Sequence, residues 1–223
     1  MEHGPGSLFH IFGFNITSEI TTMWGIMIFL IIISLVATKN LKLVPSGLQN
    51  IMEYGLETLL NFFGDLMGEK NARKYLPLLA SFFIVILISN YSGLLPGSGH
   101  IAGLKAPTSN INTTVGLALV VFFTSHFMGI KEKGLGYFKH FIEPFPLLLP
   151  LNLIEELVKP LSLSLRLYGN IFGEEMVIAS LFAMVPLIVP LPMMLLSLLF
   201  GLIQAFVFTL LAAIYINTAT AGH

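Results

Sequence analysis

The sequence predicts an all-α polytopic membrane protein that forms a single membrane domain over residues 1–223. Of the 223 residues, 55% are hydrophobic and only 10% are charged, whereas about 25% are charged in a typical soluble domain. The mean hydropathy is +0.86, and apolar runs of roughly 20 residues, the length that crosses a bilayer, recur along the chain. Too few polar side chains are present to cover a water-soluble surface.

Composition also excludes several classes of function. The chain has no Cys, so it has no disulfide framework, thiolate metal site or cysteine nucleophile. Its formal net charge of -1 provides no basic field for nucleic acid. The six His are scattered without a metal-binding spacing, and no Gly-rich phosphate loop is present. We therefore predict no metal site, no cofactor and no covalent catalysis by this chain alone.

The first predicted spanning helix covers residues 23–38. A signal peptide needs positive charge before its apolar core, but no Lys or Arg precedes this run, and Lys39 and Lys42 follow it. Because Lys and Arg concentrate in cytoplasmic loops, we expect a retained helix whose N-terminus lies outside the cytoplasm.

Residues 46–67 are predicted to form an amphipathic helix that lies along the membrane boundary. Its polar face is acidic, which is unusual for binding anionic lipid, so a partner protein is as suitable a target as the lipid surface. The apolar positions are Leu48, Met52, Gly55, Leu59, Phe62 and Leu66, and the polar ones are Glu53, Glu57, Asn61 and Asp65.

A second span is predicted at residues 75–95 and a third at residues 113–130. The loop between them contains a single cation, Lys105, whereas residues 131–140 contain three Lys. This asymmetry places residues 39–74 and 131–140 inside and residues 96–112 outside, in agreement with the first span.

Two long helices, at residues 141–185 and 190–219, are predicted to form a C-terminal hairpin. The cluster of Pro186, Pro190 and Pro192 marks the turn between them. Both helices exceed the length of a perpendicular crossing, so we expect strong tilt, and the C-terminus is expected in the cytoplasm. We find no inverted repeat of the kind common in transporters.

Arg166 is the most informative residue of the hairpin. The chain has two Arg, and the other, Arg73, lies in a charged loop. A charge at the centre of the bilayer costs at least ~2.5–3.5 kcal/mol, and a guanidinium does not escape that cost by losing its proton. A structural ion pair or snorkelling to the interface is the alternative to a functional role.

A narrow polar stripe surrounds Arg166 on the helical wheel. Positions within about 40° of it are Glu155, Lys159, Ser162, Asn170 and Gly173; Glu174 lies on the flank of the stripe and Glu175 lies opposite. Gly169 and Gly173 would let a neighbouring helix approach closely, and plain helix packing within the chain explains them equally well.

The second hairpin helix repeats the pattern weakly, because Ser197 and Tyr215 fall on the same face as Gln204. This face either forms structural hydrogen bonds with the first hairpin helix or lines a hydrated path. The same two interpretations apply to Asn90 in the second span. We favour the functional one for Gln204 and the structural one for Asn90.

Three segments together resemble subunit a of the F-type ATP synthases, the membrane stator of the rotary motor. They are Lys159-Pro-Leu-Ser-Leu-Ser-Leu-Arg-Leu-Tyr-Gly-Asn-Ile-Phe-Gly-Glu-Glu175, Ser89-Asn-Tyr-Ser-Gly-Leu-Leu-Pro96 and Gln204-Ala-Phe-Val-Phe-Thr-Leu-Leu-Ala-Ala-Ile-Tyr215. With the order of the hydrophobic segments, the resemblance covers essentially the whole chain.

The resemblance implies a tilted hairpin against a rotating ring of c subunits, each with one buried carboxylate. Two aqueous half-channels would reach the ring from opposite sides, with Arg166 between them and Asn170, Glu175 and Gln204 near the ion path. The acidic pair Glu174-Glu175 departs from relatives that have a small residue before a single Glu. Ser197 replaces an ionisable residue of some relatives.

Partners implied by the resemblance are the c-subunit ring, the b subunits of the peripheral stalk and the rest of the complex. Protons are the favoured ion and sodium the alternative, and the short loops favour a bacterial plasma membrane. Two other functions compete: a self-contained secondary transporter that uses Arg166 as its site, and a non-conducting scaffold that docks partners through the amphipathic helix.

Overall fold

The computed structural model describes residues 7–11, 14–39, 42, 47–95, 98, 103–138, 149–184 and 188–220. Two short strands are followed by helices that run through the rest of the described chain. The strands are β1 (Ser7–Ile11) and β2 (Phe14–Thr17), and the helices are α1 (Ser18–Thr38), α2 (Leu48–Met67), α3 (Glu69–Ser92), α4 (Ile111–Lys133), α5 (Leu149–Met184) and α6 (Pro190–Thr220).

The predicted all-α membrane architecture is confirmed. Four of the described helices, α1, α3, α4 and α6, are long and apolar enough to cross a bilayer. Helix α5 is the longest, with 36 residues, but its charged side chains keep it outside that apolar set. The N-terminal part of the predicted helix at 141–185 (141–148), its last residue and Pro186 lie outside the described residues.

The sequence did not reveal a β-hairpin before α1. Strands β1 and β2 pair antiparallel, and Ile11 lies opposite Phe14 at the closed end. The hairpin leads directly into α1, which begins at Ser18, five residues before the predicted span.

Helix α2 is amphipathic, as the spacing of its apolar residues predicted. Phe63 and Met67 are buried against the bundle, where α2 packs on α3 and α6. Ile51 and Tyr54, near the other end of α2, are exposed. The helix is thus anchored by its C-terminal half, and Glu53 and Glu57 remain on the surface.

The core lies where α3, α4, α5 and α6 meet. Leu79 of α3, Leu167 of α5 and Phe208 of α6 are fully buried in one hydrophobic cluster. Ala205, Ala212 and Ala213 of α6 have no exposed surface. Such small side chains let helices approach closely, which drives helix association where the hydrophobic effect between helices is weak.

The C-terminal hairpin consists of the 36-residue α5 and the 31-residue α6. A helix of 36 residues is ~54 Å long, well beyond the ~30 Å of a hydrocarbon core. Pro190 begins α6, where its missing N–H costs no intrahelical hydrogen bond.

The bundle has two polar ends, which are called the Lys105 end and the Glu132 end. The Lys105 end contains the start of α1, the ends of α3 and α5, and residues 103–110. The Glu132 end contains the first residues of α3, the last residues of α4 and α6, and the start of α5. At the Glu132 end, Lys74 pairs with Glu132, and the Tyr75 hydroxyl donates to the same carboxylate at 3.2 Å.

Candidate functional site

Arg166 lies on the exposed face of α5, in the middle of the helix. Within the described chain it forms no hydrogen bond and no ion pair. Ser162 and Gly169 share its exposed face, and a Cβ added to Gly169 would meet no atom within 4 Å. This face of α5 is therefore not covered by any described part of the chain.

The two acids of α5 turn away from Arg166 toward different neighbours. Glu174 is buried inside the bundle, where its polar neighbours are Ser197 of α6 and Asn170. Glu175 is half-buried and faces Ser109 at the Lys105 end. Successive helical residues point about 100° apart, so adjacent acids necessarily enter different surroundings.

Several buried polar atoms near the Lys105 end lack a direct hydrogen-bond partner. Among the described residues of α5 and α6 these are Glu174 Oε1, Glu175 Oε1, Ser197 Oγ and Gln204 Nε2. A buried polar group without a partner is costly, and ordered water commonly satisfies such groups. Their concentration on the facing sides of two helices favours a hydrated region there.

Asn90 has a different environment, because both its amide nitrogen and its amide oxygen have hydrogen-bond partners. Its Nδ2 donates to the Gly201 carbonyl at 3.0 Å, and its Oδ1 accepts from Thr108 Oγ1 at 2.9 Å. Nearby, the Tyr91 hydroxyl donates to the Leu198 carbonyl at 3.0 Å. Asn90 thus ties α3 to α6 and to the loop before α4.

Tyr215 lies apart from Gln204's surroundings, at the level of Lys159. The Lys159 ammonium lies 5.8 Å from the centroid of the Tyr215 ring. Because α5 and α6 run antiparallel, Glu174 beside Ser197 and Lys159 beside Tyr215 mark two levels of the hairpin. Arg166 lies between these levels.

Sequence reasoning missed a second polar group at the Glu132 end. Glu156 pairs with Lys159, and its other oxygen lies 3.8 Å from His126 Nε2 of α4. The i,i+3 spacing of Glu156 and Lys159 was a usable signal, whereas His126 is 30 residues away from Glu156 in the chain and only the fold brings it close.

Two small adjoining clefts open beside this group, with room for a few water molecules at most. Ser125, Glu156, Lys159 and Tyr215 line both of them. Tyr137 lines the larger one, and burial, together with the negative charge of Glu156, raises the pKa of Tyr137 to about 12. Its phenol is therefore neutral at physiological pH.

Sequence reasoning also missed Glu19. Its carboxylate accepts a hydrogen bond from Lys105 Nζ at 2.9 Å, and the side chain of Glu19 is only 11% exposed. Burial lowers the pKa of Lys105, but the hydrogen bond to Glu19 and the negative charges of Glu19 and Glu175 outweigh it. The net pKa is above its ordinary value, so the ammonium stays charged at neutral pH.

No group of three or more His, Asp or Glu side chains within the described ranges has the geometry of a metal site. The site contains instead a row of ionisable and polar side chains. They extend along α5 from Glu156 to Glu175, with an unpaired guanidinium between the two ends.

Comparison with known proteins places the chain in a family. The family model described as ATP synthase A chain matches residues 20–217, a range that includes all the candidate residues above except Glu19. The chain belongs to the ATP synthase A chain family. It is also 46% identical over 220 residues to "ATP synthase subunit a" of Moorella thermoacetica, with 98% of each chain covered. These matches confirm the resemblance to subunit a of the F-type ATP synthases that three short segments indicated.

Proposed function

We propose that this chain is the ion-translocating stator subunit of an F-type ATP synthase in a bacterial plasma membrane. It acts as one membrane domain that conducts ions to and from a ring of c subunits through two half-channels. Its partners are that ring, the b subunits of the peripheral stalk and the lipid bilayer. The ATP synthase A chain family supports the general role, and the arrangement of α5 and α6 supports the detail.

The observation that carries the proposal is the environment of Arg166. An arginine on an uncovered helix face within the bilayer costs at least ~2.5–3.5 kcal/mol, and no described carboxylate of this chain offsets that cost. A carboxylate on another subunit is the partner that fits. The open space beside Gly169 allows a helix of that subunit to pack directly against α5.

The outer half-channel is assigned to the Lys105 end. The positive-inside rule places this end outside, and the unpartnered atoms of Glu174, Glu175, Ser197 and Gln204 lie toward it. Water bonded to these atoms would form a hydrated path toward the level of Asn170. Glu175 at the loop and Glu174 deeper in the bundle provide two successive sites for a proton.

The inner half-channel is assigned to the Glu132 end. The two clefts beside Glu156, Lys159 and Tyr215 lie at this end, and Leu163, one helical turn before Arg166, lines one of them. Lys159 is seven residues from Arg166 along α5, which is ~10 Å of helix. An ion released near Arg166 therefore has a short polar route to the cytoplasm.

Arg166 separates the two paths by electrostatics. Its permanent positive charge stabilises the ionised form of each arriving ring carboxylate and so promotes release of the bound ion. The same charge repels a cation that would cross directly from one half-channel to the other. Each elementary charge that moves through 100 mV releases about 2.3 kcal/mol, which is then available only through rotation of the ring.

The experiment compares Arg166→Ala with the control Arg73→Ala in the complete complex, reconstituted in liposomes. Arg73 is exposed and, among the described residues, pairs only with Glu69, at 3.1 Å and one helical turn away. We expect Arg166→Ala to abolish ATP-driven ion uptake while ATP hydrolysis persists, and Arg73→Ala to pump normally. Parallel measurements of proton and sodium uptake by the unmodified complex identify the ion, which we expect to be the proton.

Undiminished pumping by an assembled Arg166→Ala complex would contradict the proposal and return Arg166 to a structural role. If Arg73→Ala lost pumping as well, removal of any cation would be enough to disturb the complex, and the assignment of Arg166 would lose its support.

A further inference from the structure

Lys105 is the single Lys or Arg in the segments that the positive-inside rule places outside. It is neither a free surface charge nor part of the proposed row along α5. Its side chain is 37% exposed, and its ammonium is held by Glu19, a carboxylate that is itself nearly buried. A long flexible cation is seldom held in this way on an open loop.

The backbone around Lys105 is fixed to the first turn of α1. The hydroxyls of Thr21 and Thr22 each donate to the Gly103 carbonyl at 3.0 Å. The backbone N–H of Lys105 donates to Thr22 Oγ1 at 3.0 Å. These bonds set the position of the ammonium, because the loop carrying it cannot swing away from α1 without breaking them.

The same loop carries Lys105 to the neighbourhood of Glu175. Residues Ala106 to Ser109 are buried, and Ser109 is a polar neighbour of the Glu175 carboxyl. A Cβ added to Gly93 would lie 3.0 Å from Ala106 Cβ and 3.5 Å from Glu175 Oε1. Ala106, the residue next to Lys105, and the carboxylate of Glu175 thus both lie close to Gly93, the residue that follows α3.

Two carboxylates therefore lie within electrostatic range of one cation, and among the described residues only Glu19 forms a direct ion pair with it. The charged or titratable groups that act on Lys105 from the described elements are Glu19 of α1 and Glu175 and Tyr168 of α5. Those that act on Glu175 are Lys105 and Glu19. An ionised carboxylate is stabilised by a nearby cation and destabilised by a nearby anion, so Lys105 and Glu19 act on Glu175 in opposite directions.

We propose that Lys105 is a positioning residue that serves as the counter-charge of Glu175, and that Glu19 limits how much of that charge Glu175 experiences. The pair sets the outer pH at which Glu175 takes up and passes on a proton. This inference rests on the proposed function, in which Glu175 belongs to the outer half-channel.

The test uses the complete complex in liposomes, with a fixed potassium diffusion potential and fixed inner pH. ATP synthesis is measured while the pH is varied on the side of the membrane that the Lys105 end faces, here called the outer side. Lys105→Gln removes the cation, so we expect the midpoint of the outer pH profile to move about one unit to higher pH. Glu19→Gln removes the competing anion, so the midpoint moves to lower pH. Lys105→Arg retains the charge and keeps the original midpoint.

Opposite shifts distinguish this proposal from a purely structural role. Lys105→Gln and Glu19→Gln break the same 2.9 Å ion pair, so a loosened loop would alter both profiles in the same direction. The double variant, with both charges removed, is expected near the original midpoint. Shifts in one direction, or no shift in either variant, would overturn the proposal. If Lys105→Gln does not assemble, the direction of the Glu19→Gln shift decides by itself.

Glu175→Gln separates failure of this inference from failure of the proposed function. A Glu175→Gln complex that retains the original pH profile would remove Glu175 from the ion path, and the inference would fail with it. If Glu175→Gln changes the pH profile but the Lys105 and Glu19 variants keep the original profile, the inference is refuted and the proposed function stands.

Discussion

Single side chains buried between the helices differ in how completely they are hydrogen-bonded. Asn90 and Gln204 have the same chemistry and are both nearly inaccessible to solvent. The Asn90 amide bonds to a backbone carbonyl and to a hydroxyl, whereas Gln204 Nε2 has no direct partner. A satisfied amide holds helices together, and an unsatisfied N–H donor is available to a water oxygen.

We expect Asn90→Ala to destabilise the purified chain in detergent by about 1 kcal/mol, since two hydrogen bonds are lost, one to α6 and one to the loop before α4, and such a bond contributes about 0.6 kcal/mol in a membrane protein. Ser197→Ala is the matched control, because Ser197 is equally buried but its Oγ has no direct partner. Denaturation by titration with sodium dodecyl sulfate measures both. An equal loss of stability in the two variants would show that the Asn90 hydrogen bonds do not stabilise the bundle.

Whole elements are held in place by close approaches that tolerate no added atom. Gly129 of α4 faces the segment Gly134–Phe138, which folds back beneath it. A Cβ at Gly129 would lie 2.4 Å from Tyr137 Cε2 and 3.1 Å from the Ala219 carbonyl oxygen of α6. Gly116, on the same helix, would meet nothing within 4 Å.

Gly129→Ala is therefore expected to destabilise the chain by about 1–3 kcal/mol, the cost of overpacking, and to displace Tyr137 from its buried position. Gly116→Ala is expected to leave the stability unchanged or to raise it by up to about 1 kcal/mol, because Ala is the better helix former. The unfolding midpoint in detergent measures both changes. Similar behaviour of the two variants would rule out the close contact.

At the scale of the whole molecule, the exposed face of α5 is the surface on which the proposed function depends. It combines a permanent charge, two glycines with open space beside them and large apolar side chains such as Leu161 and Leu165. Lipid suits the apolar side chains but not the guanidinium. A protein partner with an acidic group suits both.

We expect Gly169→Leu to leave the stability of the isolated chain nearly unchanged, because no described atom lies beside it, but to impair pumping by the complex severely. The added side chain would occupy the space assigned to a ring helix. Detergent denaturation of the chain and ATP-driven uptake by the complex are the two measurements. Normal pumping by Gly169→Leu would show that the ring packs elsewhere.

The proposed function predicts that the chain alone carries no gradient-driven ion flux in liposomes, because it assigns the carboxylate partner of Arg166 to another subunit. A self-contained transporter would show uptake under the same conditions. Flux measurements with empty liposomes as the control decide between the two functions, and uptake by the purified chain would favour the transporter.

The sequence by itself determined the class of the molecule, the order of its helices and the position of Arg166 on α5. These follow from local properties: apolar runs long enough to span a bilayer, the Lys and Arg asymmetry of the loops, and the cost of placing an arginine in lipid. Local patterns also indicated that Glu174 and Glu175 face different surroundings. The hairpin of β1 and β2 gave no comparable signal, because strands this short carry little periodicity.

Only the tertiary structure decided which residues are neighbours across the chain. It brought Glu19 to Lys105, 86 residues away, and His126 to Glu156, and it separated Tyr215 from the surroundings of Gln204. It also showed that Asn90 is bonded while Gln204 Nε2 is not. The physical reason is that periodicity and charge act over one or two helical turns. Pairing between distant residues depends on how helices pack, and packing is a property of the whole bundle.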